Sequence, residues 1–76
     1  MYNPISCEFY DQLEVAIQRK IPSTVVYIQE EEKIVVKGVV KTLLLEDGIE
    51  YMLINKSVKI RLDWVFSFNG KKYKEE

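Results

Sequence analysis

Histidine is absent from this 76-residue sequence, cysteine occurs once, and there are only three glycines and two prolines. Each scarcity removes a class of chemistry. Without histidine no Ser-His or Cys-His pair can be assembled, and a zinc site would have to be built from scattered carboxylates. The single thiol, Cys7, has no partner for an intramolecular disulfide, which favours a reducing compartment. Long apolar runs are also missing: Val25 to Ile28 is among the longest, well short of a membrane span. The opening residues Met1-Tyr2-Asn3-Pro4-Ile5-Ser6 lack the charged start and apolar stretch of a signal peptide. A soluble, cytoplasmic protein with no metal and no cofactor is expected. So short a chain is one domain with a thin core, burying only about 60% of the surface its unfolded form exposes. Any site is therefore expected to be a surface, and no enzyme activity is expected.

A hydrophobic share of 47% and a charged share of 30% suit a folded globular chain. The net charge of −1 conceals an asymmetry, because residues 1–32 carry −4 and residues 33–76 carry +3. Such a division bears on partners rather than on fold.

Between residues 6 and 20 the apolar positions Phe9, Tyr10, Leu13, Ala16 and Ile17 recur at three and four, the period of a helix. Ser6 suits its N-cap, Arg19 and Lys20 suit its last turn, and Pro22 ends it. Beyond Pro22 the period becomes two. Strands are expected at 24–29, 33–45 (bent near Gly38), 50–54, 58–62 and 64–68. Glu30-Glu31-Glu32 parts the first two strands, Asp47-Gly48 the second and third and Asp63 the last two, and the sequon-like Asn55-Lys56-Ser57 reads as a polar hairpin turn. Asn69-Gly70 closes the domain ahead of a charged tail, 71–76. The fold class is thus mainly β (α+β): an N-terminal helix followed by a bent five-stranded antiparallel barrel, with the helix over one end.

Alternation places Ile34, Val36, Val40 and Leu44 on one face of the long strand and Lys33, Lys37 and Lys41 on the other, unless a bulge shifts the phase. Val58, Ile60 and Leu62 share a face opposite Lys59 and Arg61. Trp64, Phe66 and Phe68 form an aromatic row that serves either as core or as a base-stacking platform. On a helical wheel Phe9, Tyr10, Leu13, Ala16 and Ile17 dock on the sheet, while Glu8, Asp11, Glu14, Val15 and Gln18 face outward. Asp11 and Glu14, three apart, lie side by side on an acidic stripe. That stripe is either a solvated face or a surface that competes with nucleic-acid phosphates for a basic partner.

The segment Tyr2-x-Pro4-Ile5-x-Cys7-x-x-Tyr10-Asp11-x-Leu13-Glu14-x-Ala16 resembles the opening of the Rof family, small bacterial Rho-binding antiterminators. Glu50-Tyr51, Arg61-Leu62-Asp63 and Ser67-Phe68 resemble the family's later strands, so the likeness spans about residues 2–69. It implies an Sm-like fold. It also implies a function: binding the RNA-binding (primary site) domain of the transcription termination factor Rho and keeping RNA out, which gives antitermination. Tyr10, Asp11 and Glu14 are the contacts the motif implies, and Val15 and Gln18 join them from the wheel. The family carries basic and amide residues in the loop before the Glu50-Tyr51 strand, where this chain has Glu46-Asp47-Gly48, so a contact through Asp47 and Gly48 would differ in charge. Tyr2 and Pro4 are expected to be structural, and Cys7 to be a small buried residue of the first turn. This reading implies a protein that is a monomer when free, with Rho and no nucleic acid or membrane as partner. The alternative is an Sm-like RNA-binding module using Lys33, Lys37, Lys41, Lys59, Arg61 and the aromatic strand.

Overall fold

The computed structural model describes residues 7–55 and 57–73. The N-cap expected at Ser6, the structural roles of Tyr2 and Pro4, and the tail residues 74–76 lie outside them. One helix, α1 (Cys7–Arg19), precedes six strands: β1 (Pro22–Gln29), β2 (Glu32–Glu46), β3 (Ile49–Ile54), β4 (Val58–Arg61), β5 (Val65–Phe68) and β6 (Lys71–Lys72).

Helix α1 forms where the apolar spacing predicts it, burying Phe9, Leu13 and Ala16. Its C-terminus is closed before Pro22 is reached. Lys20 takes a left-handed backbone (φ 52°), its N–H bonds the Ile17 carbonyl at 3.3 Å, and the Ile21 N–H bonds the Ala16 carbonyl at 3.0 Å. This is a Schellman closure with lysine where glycine is usual. Cys7 is exposed, not buried. The wheel accounts for the correction: Cys7, Asp11, Glu14 and Gln18 follow one another at four, three and four, so the thiol belongs to the outward stripe.

The strands form one antiparallel sheet in the order β4-β3-β2-β1-β5-β6. β4 and β6 are its edges, so hydrogen bonding does not close the sheet into the expected barrel, and there are six strands instead of five. The additional hairpin arises at Asn69-Gly70. Both residues have positive φ (52° and 87°), and Phe68 pairs with Lys71 across them. Asn-Gly is the favoured pair for such a two-residue turn, so the first two residues of the expected tail belong to the sheet. Asp47-Gly48 makes the same kind of turn between β2 and β3. Glu30 and Glu31 also do so between β1 and β2, at left-handed angles that glutamate rarely adopts.

β2 serves both halves of the sheet: its residues up to Val39 pair with β1, and those from Val40 pair with β3. Gly38 sits at the changeover. A Cβ there would fall 1.8 Å from the Asn55 side-chain oxygen, and the space is used by Asn55, whose amide donates to the Lys37 carbonyl at 2.9 Å. Just beyond, the register slips between Val40 and Thr42, leaving Lys41 as an extra residue. The slip moves the phase by one, so Leu43, not Leu44, packs against the core after Ile34, Val36 and Val40.

A second slip, between Val26 and Tyr27, disturbs β5. Its inward residues become Val65 and Phe68, three apart. The expected row of Trp64, Phe66 and Phe68 therefore does not form. Leu62–Trp64 is a single 3₁₀ turn, where 58–62 and 64–68 were expected to be strands parted by Asp63. Leu62 is buried with Ile60 all the same. The core thus gathers Phe9, Leu13 and Ala16 from α1 against Val25, Tyr27, Val40, Met52, Ile54, Ile60, Leu62, Val65 and Phe68.

Gly38→Ala should displace the Asn55 side chain and break its bond to Lys37, destabilising the fold by about 1 kcal/mol. In an Asn55→Gly background the same change should cost nothing measurable. Denaturant unfolding of the four proteins of this double-mutant cycle checks the coupling.

Candidate protein-binding surface

Three consecutive residues in the first turn of α1 tie it to the sheet. Near its start the Phe9 ring stacks on Tyr73, with centroids 4.5 Å apart, and tilts against Phe68 at 5.8 Å, while Glu8 forms an ion pair with Lys71 of β6. Tyr73 therefore belongs to the helix-docking surface, which the β5-β6 hairpin delivers. At the next residue, the Tyr10 hydroxyl donates to the Glu50 carboxylate of β3. That bond, some burial, and the negative charges of Glu50 and Glu14 raise the Tyr10 pKa above its ordinary value.

With the helix so placed, Asp11, Glu14, Val15 and Gln18 are all exposed and Tyr10 is half-buried at their border. Neither Asp11 nor Glu14 has an ion pair with any described residue, whereas Glu8, Glu46 and Asp63 are paired with Lys71, Lys59 and Arg61. Asp11 and Glu14 thus keep their charge on this stripe, as Glu30, Glu31, Glu32 and Asp47 do at the turns, and the field of the stripe points away from the protein.

The bond from Tyr10 to Glu50 ties this stripe to the β2-β3 hairpin. Asp47 and Gly48 are exposed at its tip, within about 10 Å of chain from Glu50. Leu45, paired with Glu50 across the hairpin, is 71% exposed, and Val15 on the helix is 40% exposed. Sequence reasoning missed Glu50 and Leu45 as parts of this surface. The bulge at Lys41 is the reason for Leu45, since it changes the phase of every residue after it. Among the described residues no group of histidine, cysteine, aspartate or glutamate could hold a metal ion, and no helix is long and apolar enough to cross a membrane.

The basic residues expected to act together fall into separate places. Arg61 is engaged by Asp63 through two hydrogen bonds of 3.0 and 2.8 Å and lies 5.4 Å from the Trp64 ring centroid. Lys59 is bonded to Glu46, which raises its pKa, and covers the Tyr51 ring at 4.4 Å. Lys33 instead stands over Phe66 at 4.3 Å, on another part of the sheet. Comparison with protein-family models, curated proteins and solved structures finds no match.

A raised Tyr10 pKa means that the bond to Glu50 stabilises the fold fully below about pH 10 and that this contribution is lost as pH rises through the raised value. In an absorbance titration of the tyrosines, Glu50→Gln should move one phenol to lower pH. An unchanged titration curve would mean that Tyr10 and Glu50 do not interact in solution.

Proposed function

We propose that this protein inhibits the transcription termination factor Rho. It lays the acidic face of α1 on Rho's RNA-binding primary-site domain, blocks RNA loading, and so produces antitermination. The observation that carries this reading is the pair Asp11 and Glu14, exposed side by side without an ion pair to any described residue, on the helix that holds the chain's most specific resemblance to the Rof family.

The physical logic is competition for one field. A surface that captures single-stranded RNA must be basic, and carboxylates presented in a row compete for the same cations and donors. Tyr10, tethered to Glu50, borders the acidic stripe with a ring, and Val15 and Leu45 add exposed apolar area. An aromatic and aliphatic patch beside charges has the make-up of a binding interface. Asp47 and Gly48 belong to the same contact in this reading, with a negative charge where the family carries basic and amide residues. The Sm-like architecture is also part of the reading: one helix leads into an antiparallel sheet in which β2 changes partner midway, with β6 as an addition beyond five strands. The protein acts in the cytoplasm as a free monomer that binds without catalysis.

Mixing the protein with Rho from the same organism tests this. Asp11→Lys and Glu14→Lys should each weaken binding by about 2 kcal/mol while leaving thermal unfolding unchanged. Rising salt should weaken the wild-type complex. Full affinity in the double variant would take the helix out of the interface.

A further inference from the structure

The pairing register defines a second surface, on the outward side of the sheet away from the core. Directly paired residues of an antiparallel sheet share a face, so the pairs Thr24 with Lys37, Val26 with Val35, and Ile28 with Lys33 put β1 and β2 residues together. Val26 also pairs with Ser67, and Ser67 with Lys72, which carries the same face across β5 to β6. Phe66, the residue released by the register slip in β5, turns to this side: Lys33, two strands away, lies 4.3 Å from its ring centroid, and Lys72 lies 5.3 Å from it. The bulge that broke the expected aromatic row therefore gave its middle member to the outer face.

The result is an apolar strip with cations around it. Val35 is 58% exposed, Val26 and Phe66 are half-buried, and Lys33, Lys37 and Lys72 are exposed. Lys33 and Lys37 lie four residues apart on one strand, about 13 Å along it. Among the described residues no carboxylate occupies a register position of this face; Glu30, Glu31 and Glu32 lie at the adjoining turn. Lys71, the neighbour of Lys72, points to the other side, where it pairs with Glu8.

We propose that this face binds single-stranded nucleic acid, taking phosphates on Lys33, Lys37 and Lys72 and base faces on Phe66 and the aliphatic strip beside it. Charge complementarity and a ring set among cations are what such strands require, because each nucleotide presents an apolar base face next to an anion. The surface lies apart from the acidic stripe, so the inference stands independently of the reading as a Rho inhibitor.

Fluorescence anisotropy of labelled oligouridine with the purified protein alone, without Rho, is the test. Saturable binding is expected, with log K falling against log salt at a slope of roughly −2 for three phosphate contacts on a single strand. Lys33→Glu with Lys72→Glu should weaken binding at least tenfold, and Phe66→Leu several-fold without changing the salt slope. Arg19→Glu with Lys41→Glu, which alters net charge equally, should weaken it much less. Absence of saturable binding would overturn the proposal, as would equal losses in the two charge-reversed pairs. Binding to phosphatidylserine-containing vesicles but not to oligouridine would also overturn it.

Discussion

The division of β2 between two partner strands is the constraint on which the rest of the molecule depends. A single strand, Glu32–Glu46, has to pair with β1 along its first half and with β3 along its second. It can do so because Gly38 leaves room for the Asn55 side chain and Lys41 takes up the slack in register. The change of partner brings the inward residues of both halves around one core, and α1 packs chiefly against this strand. The same change places Glu50, early in β3, within reach of Tyr10 on the helix. One missing side chain and one extra residue thus decide where the helix sits and which way its charges face.

Electrostatic pairing then divides the surface. Among the described residues, ion pairs neutralise Glu8, Glu46 and Asp63 and leave Asp11 and Glu14 on the helix stripe, with Glu30, Glu31, Glu32 and Asp47 at the turns. The same pairs engage Lys71, Lys59 and Arg61, while the exposed lysines Lys33, Lys37 and Lys72 line the outward sheet face. The two exposed pairs, Glu8 with Lys71 and Glu46 with Lys59, add little to stability. Their effect is local neutralisation, and a chain of net −1 presents an acidic helix on one side and a lysine-rimmed sheet on another.

What was legible in the sequence follows from what local chemistry can encode. The spacing of Phe9, Leu13 and Ala16 specified the buried face of α1, and with it the exposure of Asp11, Glu14, Val15 and Gln18. Asp47-Gly48 specified a hairpin because those residues accept positive φ. Asn69-Gly70 carried the same signal, but with only Lys71 and Lys72 beyond it no alternating run marked a strand, so β6 was not apparent. The two bulges were hidden for a different reason. A register slip depends on the partner strand, and nothing near Lys41 or Phe66 distinguishes a bulged residue from a paired one. Each slip changed which side chains faced inward, moving Leu43 toward the core and Phe66 to the surface. The bond between Tyr10 and Glu50, forty residues apart in sequence, likewise depends on tertiary placement.

The measurement that bears most directly on the central claim is an amide NMR titration of the labelled protein with the RNA-binding domain of Rho. The account predicts that the perturbed amides are those of Tyr10, Asp11, Glu14, Val15 and Gln18 together with the Asp47-Gly48 turn, while Val26, Val35 and Lys72 on the outward sheet face stay unchanged. Perturbations confined to the sheet face, or none at all, would contradict it.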